Sequence, residues 1–286
     1  MHDTAIVSRA SEHAFPQYPL HREALPTGVL RVGRYMLRFA ASPEDLRSIQ
    51  KLRFEVFNEE LGEGLASSYA TGLDEDEVDA RCHHLMVLET GSQRVVGTYR
   101  VMLAEMAHGH GFYSEAEYDL ATLPTAVKAQ AVEAGRACVS ATHRNGRVVQ
   151  LLWRGLARYM TWNDRRYLFG CCSVPTIDPT EARGMHHLLE RTGSMHDEIR
   201  VHPTRAYRCP DAEEGVVTES PELPPLFASY LKLGARVLSG PALDREFRVT
   251  DFFVLLDLQD VEPHVRRSFF DRGGFVGEKE LTIAVA

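Results

Sequence analysis

Ala131-Val132-Glu133-Ala134-Gly135-Arg136-Ala137-Cys138-Val139 is an apolar, strand-like run carrying a carboxylate and a guanidinium three residues apart. Charged side chains are rarely buried unless paired, so this run is either exposed or lines a site. On a flat strand, residues three apart point to opposite faces. A bulge at Gly135 would aim Glu133 and Arg136 at one cleft. A buried glutamate paired with that arginine would be ionised and could take a proton from an amine, directly or through water. The plainer reading is an edge strand with two solvated charges. Apolar flanks on both sides favour the site.

Beyond this strand, His143-Arg144-Asn145-Gly146-Arg147 opens an amphipathic helix from Gly146 to about Asn163. Arg147, Gln150, Arg154 and Arg158 fall on one face. Val148, Val149, Leu152, Leu156, Tyr159 and Met160 fall on the other. Free N–H groups at a helix start bind phosphate, and glycine permits close approach. Arg144, Asn145, Gly146 and Arg147 are therefore candidates to hold a pyrophosphate or a phosphopantetheine phosphate. Tyr167 to Cys172 reads as a central, all-apolar strand. A helix follows from about Glu181 to Arg191. Further on, Phe227 to Val237 reads as a helix and Phe252 to Leu256 as a strand.

Before the strand, Tyr35 to Phe39 is a first strand, and Ser42-Pro43-Glu44-Asp45 is a helix start with Ser at the N-cap. Arg53 and Phe57 lie on the edge of that helix's inward stripe. Asp74-Glu75-Asp76-Glu77-Val78-Asp79 is an acidic loop. Charge runs are usually solvated, but Asp76 and Asp79 could read a substrate ammonium or pair with Arg53 and Arg100. Such a bidentate network would hold the first helix over a site. Strands His84 to Leu88 and Arg94 to Leu103 follow, then a short helical piece near Tyr113 to Leu120. This order predicts one mixed α/β domain over 31–286 with a C-terminal extension from about residue 200, preceded by a flexible arm over 1–30.

The 286 residues are 44% apolar, 25% charged and 9% aromatic, ordinary values for a globular chain. A net charge of −8 argues against a general nucleic-acid binder. No apolar run approaches the roughly 20 residues of a membrane span, which with no secretory leader predicts a cytoplasmic protein and leaves room for peripheral contact at the inner membrane. The five cysteines read as free thiols. Cys171-Cys172 in an apolar strand reads as inert. Cys82-His83-His84 offers no convergent metal site, because adjacent strand residues point apart. No metal is expected.

Arg53-x-x-x-Phe57, Asp76-x-x-Asp79, Gly97-Thr98-Tyr99-Arg100 and Glu133-x-x-Arg136 together resemble the acyl-homoserine-lactone-synthase-like branch of the GNAT superfamily. The closer resemblance is to ornithine–acyl-carrier-protein N-acyltransferases, some of which carry a hemolysin label. It runs over roughly residues 34 to 257, through Gly111-Phe112-Tyr113-Ser114, Leu151-Leu152-Trp153-Arg154-Gly155, Gly170-Cys171-Cys172-Ser173 and Leu223-Pro224-Pro225-Leu226. The resemblance implies a GNAT sheet splayed to admit phosphopantetheine. It implies transfer of a fatty, often 3-hydroxy, acyl group from acyl carrier protein, or from coenzyme A, to the α-amine of an amino acid, with ornithine the default. It implies no permanently bound cofactor. Carried over to this chain, Glu133, Arg136 and Arg100 are catalytic, with Glu133 the proton acceptor. Arg53, Phe57, Asp76 and Asp79 bind the acceptor. Val139 with Arg144 to Arg147 binds the donor's pantetheine arm and phosphate, and a backbone N–H near Val139 would meet the oxyanion. The chain departs from the family pattern at Ala134-Gly135, Ala137, Cys82-His83-His84 and Cys172-Ser173-Val174, all around the expected pocket. Rival readings are an acyl-amino-acid or acyl-homoserine lactone signal synthase and a coenzyme A-dependent acetyltransferase of small acyl groups.

Overall fold

The computed structural model describes residues 17–210, 222–270 and 275–276. Its strands are β1 (Val29–Val32), β2 (Tyr35–Phe39), β3 (His83–Glu89), β4 (Val95–Leu103), β5 (Tyr118–Asp119), β6 (Ala131–Val139), β7 (Tyr167–Val174), β8 (His202–Pro203), β9 (Arg236–Val237), β10 (Ala242–Asp244), β11 (Val249–Asp257) and β12 (Phe275–Val276). Its α-helices are α1 (Pro43–Arg53), α2 (Ala104–Ala107), α3 (Thr125–Ala129), α4 (Arg147–Trp162), α5 (Pro179–Arg191), α6 (Pro225–Lys232) and α7 (Pro263–Phe269). This is the expected mixed α/β sheet flanked by helices, with further strands and helices at the C-terminal side.

The main sheet runs β10-β11-β7-β6-β4-β3-β2-β1-β12, with β9 also on β11. Period-two alternation builds its two faces. Leu85 and Val87 of β3 pack with Val148, Leu152 and Leu156 of α4. Met86 and Leu88 pack with Leu46, Ile49 and Leu52 of α1. His83 and His84 obey the same rule. His83 Nδ1 meets Tyr159 on α4, and His84 Nδ1 meets Tyr18, each at 2.9 Å.

All pairings along the sheet are antiparallel except β6 with β7. That parallel pair spans only Ala131/Tyr167 to Glu133/Phe169. Beyond it the two strands part, and the sheet is splayed. The cause is local. Thr98 faces Cys138 but Arg100 faces Gly135, so β6 carries one residue more than β4 between the two pairs. This is the bulge the sequence predicts near Gly135, and Arg136 takes its left-handed turn at φ 49°. At the fork, Gly170 of β7 lies against the Ala134 carbonyl. A Cβ at residue 170 would sit 2.1 Å from that oxygen.

Two elements differ from the sequence reading. The helix expected over 227–237 ends at Lys232, and Gly234 at φ 103° turns the chain into β9. Residues 17–30 are not a loose arm. Tyr18 is 2% exposed, and the Leu20 carbonyl accepts from His83 Nε2 at 2.7 Å. A tyrosine among prolines gives no periodic signal, so its burial was invisible. Residues 1–16 of the expected arm lie outside the described residues.

Gly170→Ala should lower stability by about 1–3 kcal/mol, since the clash is with backbone. Thermal unfolding checks this, with Gly91→Ala, where nothing meets the added Cβ, as the silent control.

Candidate active site

α1 is capped by the Ser42 side chain and ends in acid-binding residues. From Phe54 to Leu61 the chain continues as a π-helix. Such widened turns are frequent at functional sites, and this one directs Phe57 inward and leaves Arg53 at the junction. Arg53 is 1% exposed. Its Nε donates to Asp74 at 2.6 Å and its Nη1 to Asp79 at 2.7 Å. Arg100 of β4 donates to Asp76 at 2.6 Å and to Asp79 at 3.0 Å. Gln50 Nε2 donates to the second Asp79 oxygen at 3.0 Å. Arg136 closes the set through Asp74. Three arginines thus face three aspartates. Burial alone would raise the Asp79 carboxyl, but Arg53, His84 and Arg100 hold it well below the usual range.

Above this network lies a cavity of about 360 Å³. Phe57, Arg100, Tyr113, Glu133 and Arg136 line its centre. The Arg136 guanidinium lies between two rings, 4.5 Å from Phe57 and 4.9 Å from Phe247. Burial and the nearby Arg53 charge bring it down to about 9, so it remains a cation at neutral pH. Arg100 lies 4.7 Å from the Tyr113 ring. Its apolar lining includes Leu156 of α4 and Leu226, Phe227 and Tyr230 of α6. Its acidic lining includes Glu63, Glu117, Asp244 and Asp251.

Glu133 is buried, and its oxygens accept from Tyr113 N at 2.7 Å, Ser114 N at 2.8 Å and Ser114 Oγ at 2.6 Å. Burial raises its carboxyl above the ordinary value, against the pull of Ser114, Tyr113 and Arg100. It is not paired with Arg136. The bulge that brings both to the cavity gives Arg136 to Asp74 and leaves Glu133 to the backbone of residues 113–114.

The GNAT acetyltransferase domain family matches residues 52–154. The L-ornithine N(alpha)-acyltransferase of Brucella abortus (strain 2308) is 34% identical over 81% of this chain and 87% of its own. The protein of that description from Rhodobacter capsulatus is 33% identical over 83% of this chain and 95% of its own. The chain belongs to this acyltransferase family. Among solved structures, the AHL synthase LasI is similar at 15% identity and a TM-score of 0.44, over 87% of this chain and 100% of that one.

In this acyltransferase the residues singled out from sequence divide into three groups. Phe57, Arg100, Glu133 and Arg136 meet at the cavity. Arg53, Asp76 and Asp79 lie behind it and pair with one another or with Arg100 and Asp74, so both Asp79 oxygens are engaged within the protein. Val139 and the turn 144–147 stand at the open side of the splay. Ser140 N donates to the Val96 carbonyl, which places Val139 at the alternate position, its N–H and C=O turned away from β4. The Val139 carbonyl accepts from Arg144 Nε at 3.0 Å, and Arg144 also pairs with Glu60. Asn145 Oδ1 accepts from Arg147 N at 3.1 Å, so the turn's side chain already engages the first N–H of α4. Cys171 lines the cavity, but burial and nearby acids hold its thiol well above the ordinary range, away from thiolate chemistry.

Sequence reasoning missed Glu117, Asp244, Phe247 and Asp251. Nothing in their local sequence marks them, since they converge only through the fold. Burial, then Asp251 and Asp244, push Glu117 up to about 9. Burial foremost lifts Asp251 to about 7. Among the described residues no helix is long and apolar enough to cross a membrane.

Asp79→Asn should destabilise the fold by about 3–5 kcal/mol in denaturant titration, because two arginines lose their buried counter-charge. The pH dependence of Glu117 has the opposite character to a salt-bridged acid. Its proton is held more tightly folded, at about 9, than at the ordinary 4.5. Above that lower value the unfolded chain releases a proton that the fold keeps, so stability declines as pH rises toward the upper one. Glu117→Gln removes this loss, and its melting temperature should gain steadily on the wild type between about pH 5 and about pH 9.

Proposed function

We propose that this enzyme transfers a fatty acyl group from acyl carrier protein to the α-amine of ornithine. The observation that carries the reading is one cavity lined both by charged groups and by an apolar set from α4 and α6, beside the place where β6 and β7 part. The family relatives, named as ornithine acyltransferases, supply the acceptor. An acyl chain suits Leu226, Phe227 and Tyr230, and a small charged amino acid suits Arg136 and its surroundings.

In this mechanism the neutral α-amine attacks the thioester carbonyl and a C–N bond forms. The oxygen takes up negative charge beside backbone N–H groups of β6 beyond Glu133, where the ladder with β7 has stopped. The C–S bond then breaks, the carbonyl re-forms, and the pantetheine sulfur leaves as a thiolate that is reprotonated from solvent. Glu133 takes the proton lost by nitrogen. Its Oε2 accepts one protein donor and keeps a lone pair for this, and burial makes it a stronger base than an ordinary glutamate. Arg100 holds Tyr113, whose N–H orients that oxygen. Arg144 to Arg147 receive the donor's phosphate at the start of α4. The product is an amphiphile, and its release fits peripheral contact with the inner membrane.

Mass spectrometry tests the reading. Incubation with 3-hydroxyacyl-carrier protein and a pool of amino acids should give N-acyl ornithine, while acetyl-coenzyme A gives no acetyl product. Glu133→Gln should lower kcat by about 100-fold or more. Unchanged turnover in that variant would remove Glu133 as the base.

A further inference from the structure

Among the described residues, Glu117, Asp244 and Asp251 form a cluster of buried acids. Each is 4% exposed or less. One carboxylate oxygen from each lies within 4.8 Å of the other two. Asp244 Oδ1 accepts from Glu246 N and Phe247 N, both at 2.9 Å, and Asp251 Oδ1 accepts from Ser173 Oγ at 2.6 Å. Glu117 Oε2 is buried with no hydrogen-bond partner. Among the described residues, no lysine or arginine forms an ion pair with any of the three. Buried carboxylates without a counter-cation are costly, and these are held in place by the fold all the same.

The cluster is part of the cavity that holds Arg136. The turn between β10 and β11 connects the two. Asp244 begins it, and Phe247, three residues on, lies against the Arg136 guanidinium. Arg136 Nε is itself buried without an acceptor. The chamber therefore offers an unfilled donor at Arg136 and an unfilled acceptor at Glu117. A free amino acid with a distal amine has the matching pair, a carboxylate and an ammonium, with the reactive α-amine between them.

We propose that Glu117, Asp244 and Asp251 form the subsite for the side-chain ammonium of the acceptor, with Arg136 receiving its carboxylate. This rests on the amino-acid acceptor proposed above and adds what selects it. An ammonium brings three N–H donors to three carboxylates. It also supplies a positive charge that favours the ionised forms of Glu117 and Asp251, whose hold on a proton burial strengthens. A divalent cation fits less well, because hard cations take six or more oxygens. Here one Asp244 oxygen is already committed to two backbone N–H groups.

The test compares ornithine with norvaline, which has the same carbon skeleton without the distal amine. The donor is saturating acyl carrier protein, and the enzymes are wild type, Glu117→Gln and Asp251→Asn. The wild type should favour ornithine in kcat/KM, and the ornithine-to-norvaline ratio should fall about tenfold or more in each variant, through KM. This is the scale of losing one charge-assisted hydrogen bond. Independently of turnover, ornithine alone should raise the wild-type melting temperature more than norvaline does, and Glu117→Gln should abolish the difference. An unchanged ratio and an unchanged melting difference in both variants would overturn the subsite while leaving ornithine acylation intact. So would calcium or magnesium binding to the wild type by calorimetry that Asp251→Asn removes. Absence of any N-acyl amino acid from the wild type would overturn the function and the subsite together.

Discussion

Asp79 is the point on which the rest of the structure depends. It is fully buried, and it is touched by Gln50 and Arg53 of α1, His84 of β3 and Arg100 of β4. An ionised carboxylate tolerates such a place only when it is paired and hydrogen-bonded. All three elements must therefore be in register before the interior closes. The network is neutral as a whole, and that balance lets six charges share one low-dielectric space. Arg136 is its outermost member, paired to Asp74 yet stacked against Phe57 and Phe247 at the cavity. A left-handed arginine is an uncommon conformation, and here ion pair and rings together hold it.

The splay follows from the same place. One extra residue in β6 turns the strand after Glu133, and the parallel ladder with β7 stops there. Gly170 lets the fork close tightly at its base, while β11 follows β7 for the full length and keeps that half of the sheet rigid. The gap exposes backbone that a continuous sheet would have used. It also joins the α1 side of the sheet, where the charges are, to the α4 and α6 side, where the apolar lining is. A transfer between a charged acceptor and a lipid chain needs such a passage, since neither environment could serve both.

Much of this was legible in the chain and some was not, for physical reasons. The strands β2, β3, β4, β6 and β7 and the helices α1 and α4 follow from periodicity and capping, which are local. Separation of His83 from His84 follows from the pleat alone. The bulge at Gly135 was legible as a possibility of geometry, but its consequence was not. The expected pair Glu133–Arg136 became two separate pairings, because Asp74 and the 113–114 backbone compete for them. Asp76 and Asp79 looked like groups for a substrate because a charge run gives no sign of what it faces. Glu117 and Asp251 lie 134 positions apart, and only the closure of β11 on β7 brings Asp251 to the cavity. The π-helix over Phe54–Leu61 and the burial of Tyr18 left no periodic trace.

Among the described residues, two clusters of acids differ in one respect. Asp74, Asp76 and Asp79 are each answered by an arginine. Glu117, Asp244 and Asp251 are answered by none among the described residues, although all three are buried. A balanced set contributes to holding the fold and has nothing left to offer a guest. An unbalanced set weakens the empty protein, and a cation that enters relieves exactly the imbalance it finds. Arg136 pairs with Asp74 of the first set and lines one cavity with the second. Stability and recognition are in this way assigned to different acids, with one guanidinium fixing the distance between them.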